Sequence, residues 1–194
     1  PYVGMSLYTW TSIIAVVLAG FSAGHWWGGH IAERPARQAL AVTGWVMLAA
    51  AFSTAVALLL LRLIGGPVLA SVEHPVLGIV ILTTGVFFLP SLFAGVPAPV
   101  LAQIAVMQQD ARSGRSLGAM FAAGAVGAIA GTLLAGFVFI PWLGTSLTLA
   151  IVTAIYLFAA ALLLWLARPV SHPLAVLAVS GLVVALGAVS LTRL

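Results

Sequence analysis

Six stretches of this chain run for about twenty residues or more without one charged side chain. They are A (about Ser6–His30), B (about Gln38–Leu61), C (within Pro75–Met107), D (about Leu117–Ile140), E (about Leu147–Leu166) and F (about Pro173–Leu191). Roughly 20 apolar residues in helical form cross the ~30 Å hydrocarbon core of a bilayer. The alternative spanning solution, a closed barrel, requires strands that alternate polar and apolar residues. These runs are continuous, so they predict an all-α, polytopic bundle of about six transmembrane helices. Composition agrees: 63% of residues are apolar and 5% charged, against roughly a quarter charged in soluble domains. Seven basic side chains and three acids are too few to cover a water-facing surface, and lipid is the solvent such a surface fits. The 194 residues suit one helical domain spanning the whole chain, 1–194.

The arginines set an orientation. Arg34 and Arg37 lie between A and B, Arg112 and Arg115 between C and D, and Arg168 between E and F. The opposite connections carry only Arg62 and, beyond F, Arg193. By the positive-inside rule the three arginine-bearing loops are expected on the cytoplasmic side. Scattered in this way, the arginines do not form the clustered patch of a nucleic-acid surface. Trp10, Trp26, Trp27, Trp142 and Trp165 fall near segment ends, where the indole, apolar with one N–H, suits the headgroup level.

Segment C is too long for one straight crossing, and it contains Pro90, Pro97 and Pro99 around Gly95. Proline lacks a backbone donor and collides with the preceding turn, so C is expected to kink or break. Broken helices at membrane depth can line a cavity. Thr83, Thr84, Pro97 and Gln103 are its candidate lining, and a kink filled by neighbouring helices is the alternative. A second kind of signal is small-residue spacing. Gly20, Gly24 and Gly28 in A, and Gly127, Gly131 and Ala135 in D, recur every four residues, which lets another helix backbone approach.

Few residues can carry chemistry. With no cysteine in the chain, thiolate sites and disulfides are excluded. His25 and His30 flank Trp26-Trp27 and are candidate metal, haem or chlorin ligands. Five positions apart, they do not share a helical face, and interfacial hydrogen bonding is the other reading. The acids Glu33, Glu73 and Asp110 all fall in loops or at helix ends, whereas proton-coupled transport uses ionisable groups at membrane depth. No catalytic constellation is visible, and no cofactor is expected. The expected partners are the bilayer and other membrane chains or further copies of this one.

Two resemblances add to this. Gly28-Gly29-His30-Ile31-Ala32-Glu33-Arg34-Pro35-Ala36-Arg37 resembles the loop after the second helix of the major facilitator superfamily, with Glu33 where that pattern has an aspartate. It implies a cytoplasmic charge clasp built from Gly28, Glu33 and Arg34 with Arg112 or Arg115.

The run Pro90-Ser91-Leu92-Phe93-Ala94-Gly95-Val96-Pro97-Ala98-Pro99-Val100-Leu101, then Gly114-Arg115-Ser116-Leu117-Gly118, Gly127 through Phe137 and Pro141-Trp142-Leu143-Gly144, is similar to the membrane part of bacterial proteins that fuse a facilitator-like region to a spermidine-synthase-like domain. So is the opening Pro1-Tyr2-Val3-Gly4 with Ser6 through Ser12. The resemblance extends to about Arg168. It implies a half-facilitator-like bundle in the bacterial inner membrane, with a further helix upstream of Pro1. It does not transfer aminopropyltransferase activity, because the glycine-rich nucleotide loop and amine-binding acids of that soluble domain are not in these residues. Three functions follow as expectations: a non-catalytic membrane domain or subunit for anchoring, assembly or a membrane-side pocket; a facilitator-type transporter or half-transporter; or an accessory subunit of a respiratory or photosynthetic complex.

Overall fold

The computed structural model describes residues 7–107, 113–167, 180–181 and 183–185. Among these there is no strand. The helices are α1 (Leu7–Ala32), α2 (Ala36–Ser71), α3 (Pro75–Gly95), α4 (Pro97–Met107), α5 (Ser113–Leu134) and α6 (Ile140–Ala167), with a π-helical turn at Ala135–Phe139 between the last two. Among the described residues, four helical stretches are long and apolar enough to cross a membrane: Leu7–Ala32, Ala36–Ala57, Pro75–Met107 and Gly114–Ala167.

The all-helical, membrane-compatible architecture is therefore as expected, but the described residues divide differently from the six segments. Segment B continues past Leu61 to Ser71 despite Pro67 inside it. Pro67 removes one ladder bond, and the Ser71 hydroxyl donates to the Pro67 carbonyl at 2.7 Å, so the last turn holds. Segments D and E join into one stretch, bent at Gly144 (φ 75°, ψ 170°), a backbone region essentially confined to glycine. Segment F lies mostly outside the described residues. Of it, Val183 is fully buried against Ala51 and Ala55 of α2, with Tyr156 and Leu157 of α6 beside them.

Segment C is interrupted as expected. Val96 keeps helical angles (φ −62°, ψ −41°), but its N–H turns to the Phe93 carbonyl, three residues back. The next residue, Pro97, has no N–H to continue the ladder.

Packing follows small residues more than chain order. α1 packs chiefly on α3, α3 on α2, and α2 on α6, while the consecutive helices α1 and α2 touch little. Among the described residues, α5 meets chiefly α4 and the π turn. One buried cluster joins Ile31 at the end of α1, Ala39 at the start of α2, Val96 and Val100 at the α3–α4 junction, and Leu163 and Leu164 near the end of α6. The end of α1, the start of α2 and the end of α6 thus lie at one end of the bundle. The outer surface is strongly apolar: Phe121, Phe137 and Phe158 are each more than 70% exposed. In water an apolar surface of this extent would associate, and in a bilayer it is solvated.

This arrangement makes a topological prediction. Thr145 precedes Leu163 by 18 residues of α6, about 27 Å of helix, whereas Ala36 lies beside the Leu163 end. Single cysteines at Ala36 and Thr145 in intact vesicles are expected to react with an impermeant thiol reagent from opposite sides. Labelling from the same side would contradict the crossing.

Candidate functional site

The closest helix contact lies along the glycine row of α1. A Cβ added at Gly20 would stand 2.7 Å from Ser91 Cβ and 2.9 Å from the Phe88 carbonyl oxygen. At Gly24 it would run into the Leu92 carbonyl, and at Gly28 it would stand 2.5 Å from the Val96 carbonyl oxygen and 2.6 Å from Pro99 Cγ. Gly95 completes the fit from the other helix, where a Cβ would lie 2.8 Å from the Phe21 carbonyl oxygen. Each of these distances is below ordinary contact, so only hydrogen at Cα lets the two backbones lie this close and gather dispersion and C–H···O contacts. Gly20 and Gly24 therefore lie where α1 and α3 approach most closely.

The matching row of α5 behaves differently. Nothing lies within 4 Å of a Cβ at Gly127 or Gly131, and residues around Ala135 are open as well. The expectation that this row faces another helix is not met within the described residues. The physical reason is that spacing permits close approach without specifying a partner, and α3 is already occupied by α1 and α2. Beside the row, Ala128, Ile129, Thr132 and Leu133 line a shallow depression of about 320 Å³. The Thr132 hydroxyl is turned back to the Ala128 carbonyl at 2.8 Å, so the depression is effectively apolar.

The tight α1–α3 contact sets the end of α1 beside α4. There Gly29, Ala32, Glu33, Pro99 and Gln103 line an open groove of about 240 Å³. Ile31, 1% exposed, anchors the connection, and the Arg34 N–H closes a turn on the Ile31 carbonyl at 3.1 Å. The side chains of Glu33, Arg34 and Arg37 are left exposed. Among the described residues no ion pair joins Glu33 to Arg34 or Arg115. The other arginine of the expected clasp, Arg112, lies outside the described residues, as does Asp110.

The threonine–glutamine cavity is not assembled. Thr83 is buried, but its hydroxyl bonds to the carbonyls of Ile79 at 2.9 Å and Val80 at 3.1 Å. Thr84 is exposed, and Gln103 lies in the terminal groove, twenty residues along the same polypeptide. The threonines and Gln103 lie on different helices, α3 and α4, and neither threonine lines the groove that holds Gln103. Pro97 belongs to the interruption and not to a polar lining. Thr83→Val is expected to change thermal stability by less than about 0.5 kcal/mol, because the lost bond only competes with the helix ladder. A shift above about 2 kcal/mol would show that the hydroxyl serves another group.

The histidines engage their own helix. His30 donates from Nδ1 to the Trp26 carbonyl at 2.9 Å, with the rings edge-on at 4.7 Å. His25 stacks near Phe21 at 6.1 Å. Among the described residues no three of His, Cys, Asp and Glu come together. Sequence reading missed the Glu33–Gln103 groove, since their proximity depends on how α1 lies across α3. The signal that could have found it was Gly95 and Pro99 opposite the α1 glycine row.

No protein-family description, curated protein or solved structure matches this chain.

Proposed function

We propose that this chain is a non-catalytic, multi-pass membrane module whose work is anchoring and assembly, like the helical part of the fused spermidine-synthase-like proteins. Its place would be the bacterial inner membrane, as a half-facilitator-like bundle with the α1–α2 connection cytoplasmic. The observation that carries the reading is α5. This helix is exposed along its length and presents a small-residue row that nothing among the described residues occupies. Such a row gains nothing special from lipid, whereas a second helix can dock on it with backbones close.

An accessory subunit of a larger complex is a particular case of the same assembly. A facilitator-type transporter or half-transporter would call for a polar chamber at membrane depth, and Thr83, Thr84 and Gln103 do not converge to make one. Native mass spectrometry of the full chain released from its own membrane tests the proposal. A defined stoichiometric assembly, with copies of itself or with other membrane chains, is the expected result. A monomer retaining bound lipid but no protein partner would overturn it.

A further inference from the structure

We propose that the groove where α1 meets α4 binds the headgroup of a phospholipid bearing a primary amine, such as phosphatidylethanolamine. The inference needs the chain to sit in a bilayer, and it is independent of what docks on α5. Position comes first. Trp26 and Trp27, at 72% and 39% exposure, mark the end of α1 as headgroup level, and the groove opens one turn further on at Gly29.

Chemistry selects the headgroup. Glu33 and Gln103 line the groove, giving carboxylate and amide oxygens that can accept from an ammonium. Glu33 is exposed, and no described residue pairs with it. Arg34 and Arg37, both exposed, follow Glu33 within four residues along the chain and can donate to a phosphate. Acceptors in the groove, with donors following in the adjoining connection, suit a zwitterion whose amine and phosphate are two carbons apart. A purely anionic headgroup would meet the Glu33 charge, and a trimethylated amine has no N–H to donate to it. Ala32 and Pro99 supply an apolar wall for the ethanolamine carbons. The adjoining indoles favour a lipid over a soluble amine phosphate, because they contact the glycerol and upper acyl region.

The test is thermal unfolding of the full chain in detergent, titrated with phosphatidylethanolamine, phosphatidylcholine or phosphatidylglycerol of identical acyl chains, and with soluble phosphoethanolamine. The ethanolamine lipid is expected to raise Tm most, and soluble phosphoethanolamine to have little effect. Glu33→Gln should weaken the apparent affinity for the ethanolamine lipid roughly threefold or more, erasing its advantage over the choline lipid. Glu73→Gln, outside the groove, should preserve it. Should Glu33→Gln fail to fold, Gln103→Leu serves the same purpose and should reduce the advantage. Equal shifts from ethanolamine and choline lipids, a glycerol-lipid preference, or an undiminished advantage in the groove variants would each overturn the proposal. An equal response to soluble phosphoethanolamine would overturn the assignment to a lipid.

Discussion

Gly24→Leu should separate α1 from α3 and lower the unfolding free energy by about 3 kcal/mol or more, at the upper end of overpacking costs. The neighbour a Cβ would strike at Gly24 is the Leu92 carbonyl, with Gly95 Cα 3.1 Å away. Both are backbone, and neither can rotate aside as a side chain could. Relief therefore requires moving one whole helix, which strips contacts along the Gly20–Gly28 row and tilts the end of α1 off α4. Even Gly24→Ala should cost about 1–3 kcal/mol. Gly29→Ala is the matched control, because open space surrounds that position, and it should fall within about 0.5 kcal/mol of wild type. Reversible unfolding in mixed micelles reads all three. Equal stability of Gly24→Leu and wild type would show that α1 does not pack on α3 through this row.

The second large effect lies at the α2–α6 contact. Leu164 is 4% exposed, and its Cγ would stand 2.6 Å from a Cβ on Gly44. Leu164→Ala should cost about 2 kcal/mol, the low end for a core leucine. In a bilayer the unpacked chain still buries apolar surface in lipid, so the loss is mainly of packing contacts. Gly44→Ala alone should cost about 1–3 kcal/mol by overpacking. Combined, the two should cost at least about 1 kcal/mol less than their sum, since the new methyl enters the space the leucine leaves. Additive costs would mean that α6 does not lie on α2 in this register.

How far the sequence could be read is clearest from paired cases. The glycine rows of α1 and α5 carry the same spacing, yet only the first has a neighbour among the described residues. Spacing records that a backbone is accessible, and which helix arrives is decided by the arrangement of the whole bundle. The break in segment C was legible because Pro97 removes a donor outright. The continuation of α2 through Pro67 was not, because one lost bond near a helix end is small beside the bonds that remain on either side. Neither the bend at Gly144 nor the helical joining of D and E around it was legible, because a single glycine in an apolar run does not declare its backbone angles. The apolar surface needed for a bilayer was readable from charge scarcity alone. By contrast, the groove of Glu33 and Gln103 joins residues seventy positions apart, while the candidate lining Thr83, Thr84 and Gln103 is divided between α3 and α4. Periodicity locates a residue on its own helix, and sites arise from contacts between helices.

The most direct test of the assembly reading is native mass spectrometry of Gly131→Leu beside wild type, read with the melting temperature of each dissociated monomer. Because nothing lies within 4 Å of a Cβ at Gly131, the monomer should melt within about 0.5 kcal/mol of wild type, while the assembly docked on the α5 row should dissociate. A Gly131→Leu monomer destabilised by about 2 kcal/mol or more would place α5 inside the chain's own bundle, and an assembly that survives the substitution intact would show that the α5 row is not where this protein meets its partners.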